Sequence, residues 1–106
     1  MATICSRLSV EAPLMQVNRY FDDQVISIRF DNSNGESSVG VMVPGSYEFS
    51  TSKNERMVVI SGALVVQRND DPEPLLYSDG EEFHVPADQT FAVEVTEPTA
   101  YLCEYS

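Results

Sequence analysis

Short runs of β-branched and aromatic residues, each ended by turn-forming residues, recur along most of the chain and constrain its fold more than any other feature. The run at 25–30 (VISIRF) stops at 31–35 (DNSNG), a series of turn formers that ends in glycine. No segment keeps the periodicity of a helix over three turns. The pattern therefore predicts an all-β barrel or sandwich. The further predicted strands are 38–43, 46–50, 57–67 with a turn at Gly62, 82–85, 91–95 and 100–105.

Composition limits the partners that such a barrel can have. A chain of 106 residues with 42% hydrophobic and 22% charged residues fits one globular domain. Its formal net charge of -11 argues against nucleic acids and anionic membranes, because both are polyanions, but it permits a small anion. The start of the chain lacks the apolar stretch of a signal peptide, and no run is long enough to cross a bilayer. We therefore expect a cytoplasmic protein with reduced thiols.

A segment framed by glycines, residues 40–62, resembles the first sequence motif of the cupin family. The motif has two inward positions one residue apart, followed by a glutamate, and in metal-binding cupins the two inward positions are histidines. Ser46 and Glu48 occupy those positions in this chain, while Glu55 stands where the motif places its glutamate. The resemblance implies that the scaffold is present without its metal ligands.

The second cupin motif is matched only at its opening, by Gly80 and Pro86, and Phe91 stands in the place of the third histidine. A transition metal needs roughly three or four convergent protein donors. Glu48 and Glu55 alone would make a poor site. The two motifs together imply a single-domain cupin-type jelly-roll β-barrel with no metal and no other cofactor.

Four blocks in the same order resemble the small cupin-fold pyrimidine/purine nucleoside phosphorylases: 17–22 (VNRYFD), 38–43 (SVGVMV), 59–64 (VISGAL) and 97–103 (EPTAYLC). The resemblance implies a homodimeric enzyme that needs no metal. It would cleave many nucleosides with inorganic phosphate to give the free base and a pentose 1-phosphate.

The phosphorylase resemblance begins near Met15, which suggests that the residues before it are an extension of the barrel domain. We expect an N-terminal extension over residues 1–16, with a single helical turn as the best candidate at 7–15, and a cupin-like barrel domain over 17–106.

Two carboxylates are the candidate catalytic groups, since the cupin resemblance places Glu48 and Glu55 inside the barrel. Either could accept hydrogen bonds from the paired ribose hydroxyls. A desolvated carboxylate beside a second one could also carry a raised pKa and serve as a general acid to the leaving base. The alternative for both residues is an ordinary strand glutamate with a solvated tip.

Aromatic side chains are the candidates for the base. Phe91 offers a ring face that stacks on any base, although a core phenylalanine has the same sequence pattern. Tyr101 shares one face of the last strand with Cys103 and Tyr105, and we predict that this is the inner face.

The phosphate ligands are harder to predict, because the chain has no glycine-rich phosphate loop. The hydroxyls of Ser46, Ser50 and Thr51, with nearby backbone N–H groups, are candidates at the barrel mouth. Arg56 is a further candidate, although it directly follows Glu55 and would point to the opposite face of a regular strand.

Three functions remain open at this stage. The first is a metal-independent nucleoside phosphorylase. The second is a non-catalytic, metal-free cupin that binds a sugar or a nucleotide, which the shortage of phosphate ligands favours. The third is a metal-dependent cupin enzyme, which the missing histidines nearly exclude, because the single histidine, His84, is predicted to lie at the rim or on the surface.

Overall fold

The computed structural model describes residues 15–106 and confirms the all-β prediction. Its ten strands form two antiparallel sheets, a six-stranded one in the order β1-β2-β3-β10-β5-β8 and a four-stranded one in the order β4-β9-β6-β7. Among these residues no helix is long and apolar enough to cross a membrane. The strands are β1 Met15–Tyr20, β2 Val25–Asn32, β3 Gly35–Met42, β4 Gly45–Ser50, β5 Glu55–Ser61, β6 Ala63–Gln67, β7 Leu75–Ser78, β8 Glu82–Val85, β9 Thr90–Val95 and β10 Thr99–Tyr105.

The two sheets enclose one apolar core, built from alternate residues of each strand. In β9, for example, Phe91, Val93 and Val95 are buried while the residues between them are exposed. Burial of each such side chain stabilises the fold by about 1.5–3 kcal/mol. The same alternation in β5 and β10 buries Met57 and Tyr101. The core therefore fixes which side chains of these strands face inward.

The predicted orientation of β4 is wrong. Tyr47 is buried at 4% exposure and Phe49 packs against the core. Ser46 and Glu48, which the motif placed inside the barrel, alternate with these rings and are exposed. The cupin motif suggested the opposite orientation. Burying the rings of Tyr47 and Phe49 stabilises the fold more than burying Ser46 would, because a ring contributes far more apolar area than a serine. This fixes the orientation of the strand.

Two strands were not predicted, and the first bears on the domain boundary. β1 pairs with β2 along its whole length and already includes Met15 and Gln16, which the sequence analysis assigned to the extension. All but the last residue of the proposed helical turn at 7–15, and nearly all of the extension at 1–16, lie outside the described residues. The second unpredicted strand is β7, which pairs with β6 at the edge of the four-stranded sheet.

The predicted turn at Gly62 is confirmed between β5 and β6. Its φ of 114° lies in the region that favours glycine, and an added Cβ would lie 2.4 Å from the Oγ1 of Thr99. The Thr99 hydroxyl is buried there and accepts a hydrogen bond from the backbone N–H of Ala63.

Candidate active site

A cavity of about 280 Å³ opens at one end of the barrel, between the two sheets. Most of its lining forms two walls. The polar wall lies on the six-stranded sheet and carries Ser27, Glu55, Tyr101, Cys103 and Tyr105, together with the apolar side chains of Met42 and Met57. The aromatic wall consists of Phe49 from β4, Phe91 from β9 and Phe21 from the turn after β1.

Glu55 is the charged group of the polar wall, and strand pairing fixes its place. It lies opposite Tyr105 in the β5–β10 ladder, and the Cys103 thiol donates a hydrogen bond to its Oε1 at 3.5 Å. Burial raises the pKa of the Glu55 carboxyl, and the hydrogen bond from Cys103 partly offsets that rise. The carboxylate is thus poorly solvated, as expected for a group that functions through contact with a ligand.

The other polar side chains of this wall are neutral donors. Burial raises the pKa of Tyr101 to about 12 and also raises the pKa of the Cys103 thiol and the Tyr105 phenol. The Tyr105 hydroxyl is held by the hydroxyl of Ser38 at 2.9 Å. These groups stay protonated near neutral pH. The Cys103 thiol already donates its proton to Glu55, so the two phenols are the groups that can donate hydrogen bonds to oxygen atoms of a ligand.

Tyr101 keeps its position because β3 has no side chain at Gly40. The two residues are direct neighbours in the β3–β10 ladder, and a Cβ on Gly40 would lie 2.7 Å from the Tyr101 hydroxyl oxygen. A larger residue at this position would push the phenol out of place.

The aromatic wall is a chain of rings in mutual contact. The ring centroids of Phe49 and Phe91 are 5.7 Å apart, and those of Phe21 and Phe49 are also 5.7 Å apart, in an edge-to-face arrangement. Phe91 is only 3% exposed, so most of its ring belongs to the core. Phe21 lies at the mouth and is far more open to solvent.

Glu48 and Ser50 flank Phe49 on β4 and lie at the cavity mouth, where both are exposed. The Ser50 hydroxyl is 3.2 Å from that of Thr90. The structure therefore brings five of the predicted site residues to one cavity. They are Glu48, Ser50, Glu55, Phe91 and Tyr101.

Two of the predicted hydroxyl ligands lie elsewhere. Ser46 lines a shallow depression on the outside of the four-stranded sheet. Thr51 is buried, where its hydroxyl donates to the carbonyl of Pro86 at 2.7 Å and accepts from the N–H of Gln89 at 3.0 Å. Its hydroxyl therefore holds a loop, and Thr51 is not among the residues that line the cavity.

Arg56 also lies outside the cavity, because it alternates with Glu55 on β5. Its guanidinium pairs with Glu82 at 2.8 Å and with Glu104 at 2.6 Å on the outer face. His84 is exposed next to this group, with its Nε2 3.2 Å from the Glu82 carboxylate, so the prediction of a surface histidine is confirmed. Within residues 15–106 no group of three or more potential metal ligands is arranged to hold an ion.

The sequence analysis missed several lining residues. Ser27 could have been found from its alternation with Val25, since both face inward on β2. Tyr20 and Phe21 had no such signal, because Tyr20 ends a strand that was not predicted and Phe21 begins the turn after it. None of the described residues that line the cavity is a lysine, an arginine or a histidine.

Comparisons with known proteins agree with this architecture. The description of the family whose profile matches residues 15–105 is pyrimidine/purine nucleoside phosphorylase. A protein of that name from Rhodopirellula baltica is 50% identical over 92 residues, which are 87% of this chain and 100% of the relative.

Solved structures extend the comparison to the fold. A protein of unknown function from Vibrio parahaemolyticus superposes with a TM-score of 0.83 at 44% identity, covering 87% of this chain and 98% of that one. A cupin superfamily protein from Desulfitobacterium hafniense superposes with a TM-score of 0.63 at 16% identity, covering 83% and 79% of the two chains. The predicted cupin-type barrel is confirmed. By its sequence and its fold, the chain belongs to the pyrimidine/purine nucleoside phosphorylase family.

Proposed function

We propose that this protein is a pentosyltransferase that cleaves purine and pyrimidine nucleosides with inorganic phosphate, giving the free base and a pentose 1-phosphate. The observation that carries the proposal is the division of one cavity into a polar wall and an aromatic wall. A nucleoside has the same division, because its pentose presents hydroxyls and its base presents ring faces. The family membership supports the same reaction.

The polar wall binds the pentose. The Glu55 carboxylate accepts hydrogen bonds from the paired sugar hydroxyls, and the Tyr101 phenol donates to a sugar oxygen. In the reaction a phosphate oxygen bonds to C1′ while the bond from C1′ to the base nitrogen breaks, and positive charge develops on the ring. The desolvated Glu55 carboxylate stabilises that charge more strongly than a solvated one would.

The bonding electrons leave with the base, which must take up a proton. Glu48 lies at the exposed mouth, and we place it as the carboxyl that passes a proton from solvent to the departing base. The aromatic wall holds the base through its ring faces. Stacking reads no hydrogen-bond pattern at the base edge, so this wall accepts purines and pyrimidines alike.

The outer face of the six-stranded sheet supports a homodimer. Val17, Ile28 and Val39 lie side by side across β1, β2 and β3, and all three are exposed, as is Val41 beside them. We call these four residues the outer patch. Contiguous exposed apolar surface of this kind marks interaction sites. A second copy of this chain is the occupant that the homodimer proposal requires.

The reaction uses the described side chains without a metal, and we place it in the cytoplasm. Purified protein incubated with uridine or adenosine tests the proposal. We expect free base only when phosphate is present, and equal rates with and without a chelator. Base release without phosphate would mean hydrolysis and would contradict phosphorolysis. A rate abolished by the chelator would contradict metal independence.

A second candidate is a non-catalytic, metal-free cupin that binds a sugar or a nucleotide. The lack of a lysine, arginine or histidine among the described lining residues favours it, because phosphate is usually held by cations. Calorimetry with uridine distinguishes the two functions. Binding without any base release at added phosphate would support this second candidate over the phosphorylase.

A further inference from the structure

The turn between β1 and β2 has an uncommon backbone. Phe21, Asp22 and Asp23 have φ angles of 54°, 56° and 67°, so three successive residues other than glycine adopt the left-handed region. The Gln24 N–H donates to the Phe21 carbonyl at 3.1 Å, and the Val43 N–H donates to the Gln24 carbonyl at 3.0 Å. The turn is thereby tied to the end of β3 and holds Phe21 at one place.

That place is the mouth of the cavity. The Phe21 ring centroid lies 5.1 Å from that of Tyr47 and 5.7 Å from that of Phe49. Phe21 therefore leaves the edge of the six-stranded sheet and packs on rings of the opposite sheet. It remains 42% exposed even so, while Phe91 is 3% exposed. Of the phenylalanines in the lining, Phe21 has the most ring surface open to a ligand.

We propose that Phe21 is the residue that contacts the nucleobase and sets how tightly purine and pyrimidine nucleosides are held. The inference rests on the proposed phosphorolysis. A base needs an accessible ring to stack on, and Phe21 supplies it beside the edge of Phe49. Tyr20 also lines the cavity and is 44% exposed, but it ends β1 within the six-stranded sheet, whereas Phe21 packs on the rings of the other sheet. A purine covers more of the Phe21 ring than a pyrimidine does.

The test compares Phe21→Ala, Phe21→Leu and Phe21→Tyr with the native enzyme. Loss of the ring should raise the KM for uridine about 10-fold, and that for adenosine by more, as for other stacked bases. The KM for phosphate, and that for ribose 1-phosphate in the reverse reaction, should stay within about 2-fold, because neither substrate stacks. Phe21→Tyr should behave like the native enzyme. Phe21→Leu retains an apolar contact with Tyr47 but lacks the ring, so it should behave like Phe21→Ala.

Leu76→Ala is the control, since Leu76 is exposed on β7 at the far edge of the other sheet. Circular dichroism establishes whether each variant is folded. If Phe21→Ala is unfolded, the KM values of Phe21→Leu test the role of the ring. If the native enzyme is active and the Phe21 variants have the same nucleoside KM values as Leu76→Ala, the role of Phe21 is overturned and the proposed function still holds. A native protein that neither binds nor cleaves nucleosides would overturn both.

Discussion

Glu55 is the residue on which the proposed chemistry depends most. Replacing it by glutamine retains the size of the side chain and removes the charge that faces the sugar ring. We expect Glu55→Gln to lower kcat about 100-fold or more, in the range seen when one catalytic side chain is removed. Arg56→Gln is the matched control, because Arg56 points outward from the same strand. Unchanged turnover in Glu55→Gln would remove Glu55 from the site.

The raised pKa of Glu55 predicts how activity depends on pH. The proposed reaction uses the ionised carboxylate, and burial raises its pKa, so activity should already fall at a pH above the usual glutamate range. The acid limb of a plot of kcat against pH measures the pH at which activity falls. An acid limb at or below the ordinary glutamate pKa would contradict the assignment.

The same group affects stability in the opposite direction. A carboxyl whose pKa is raised by folding contributes stability at low pH, and this contribution is lost as the pH rises through the folded-state pKa. Glu55→Gln has no charge to bury, so its free energy of unfolding should exceed that of the native protein increasingly as the pH rises. Chemical denaturation at several pH values measures the difference. A pH-independent difference would show that Glu55 is not desolvated.

At the scale of strands, the contact between β3 and β10 gives the next prediction. Gly40→Ala places a Cβ against the Tyr101 phenol and the Ile26 carbonyl, at 2.7 and 2.8 Å. We expect it to cost about 1–3 kcal/mol of stability, as other overpacked sites do. It should also lower activity by displacing Tyr101. Adding Tyr101→Phe removes the clashing hydroxyl and should restore part of the stability. Full additivity of the two changes in thermal melts would contradict the contact.

The strands also show what the sequence could predict. β9 carries a large apolar residue at every second position, and burial alternates along both β9 and β10, so their inner faces, with Phe91 and Tyr101, were predicted correctly. β7 was missed because its sequence, LLYS, does not alternate between apolar and polar residues, unlike the equally short β8. β4 was given the wrong orientation because a motif analogy was preferred to the burial of Tyr47. Phe21 could not be found, since its place depends on pairing between distant strands and on a turn conformation that no local pattern indicates.

At the scale of the whole molecule, the outer patch predicts the oligomeric state. A dimer of this 11.8 kDa chain should have twice that mass in light scattering. Val39→Asp puts a charge within the outer patch and should shift the protein to monomer, because burying an unpaired charge is costly. Leu76→Asp introduces the same charge at an exposed site outside the outer patch and should leave the dimer intact. A monomeric native protein would contradict the proposal.

A crystal structure of the protein with ribose 1-phosphate bound would show where the pentose lies. We expect the pentose inside the cavity, with its hydroxyls within hydrogen-bonding distance of Glu55 and its ring near Tyr101. Its phosphate should point away from the rings of Phe21 and Phe49, which hold the base. A second groove is lined by Arg56, His84 and Pro86, among other residues. A pentose bound in that groove instead would contradict the assignment of the cavity.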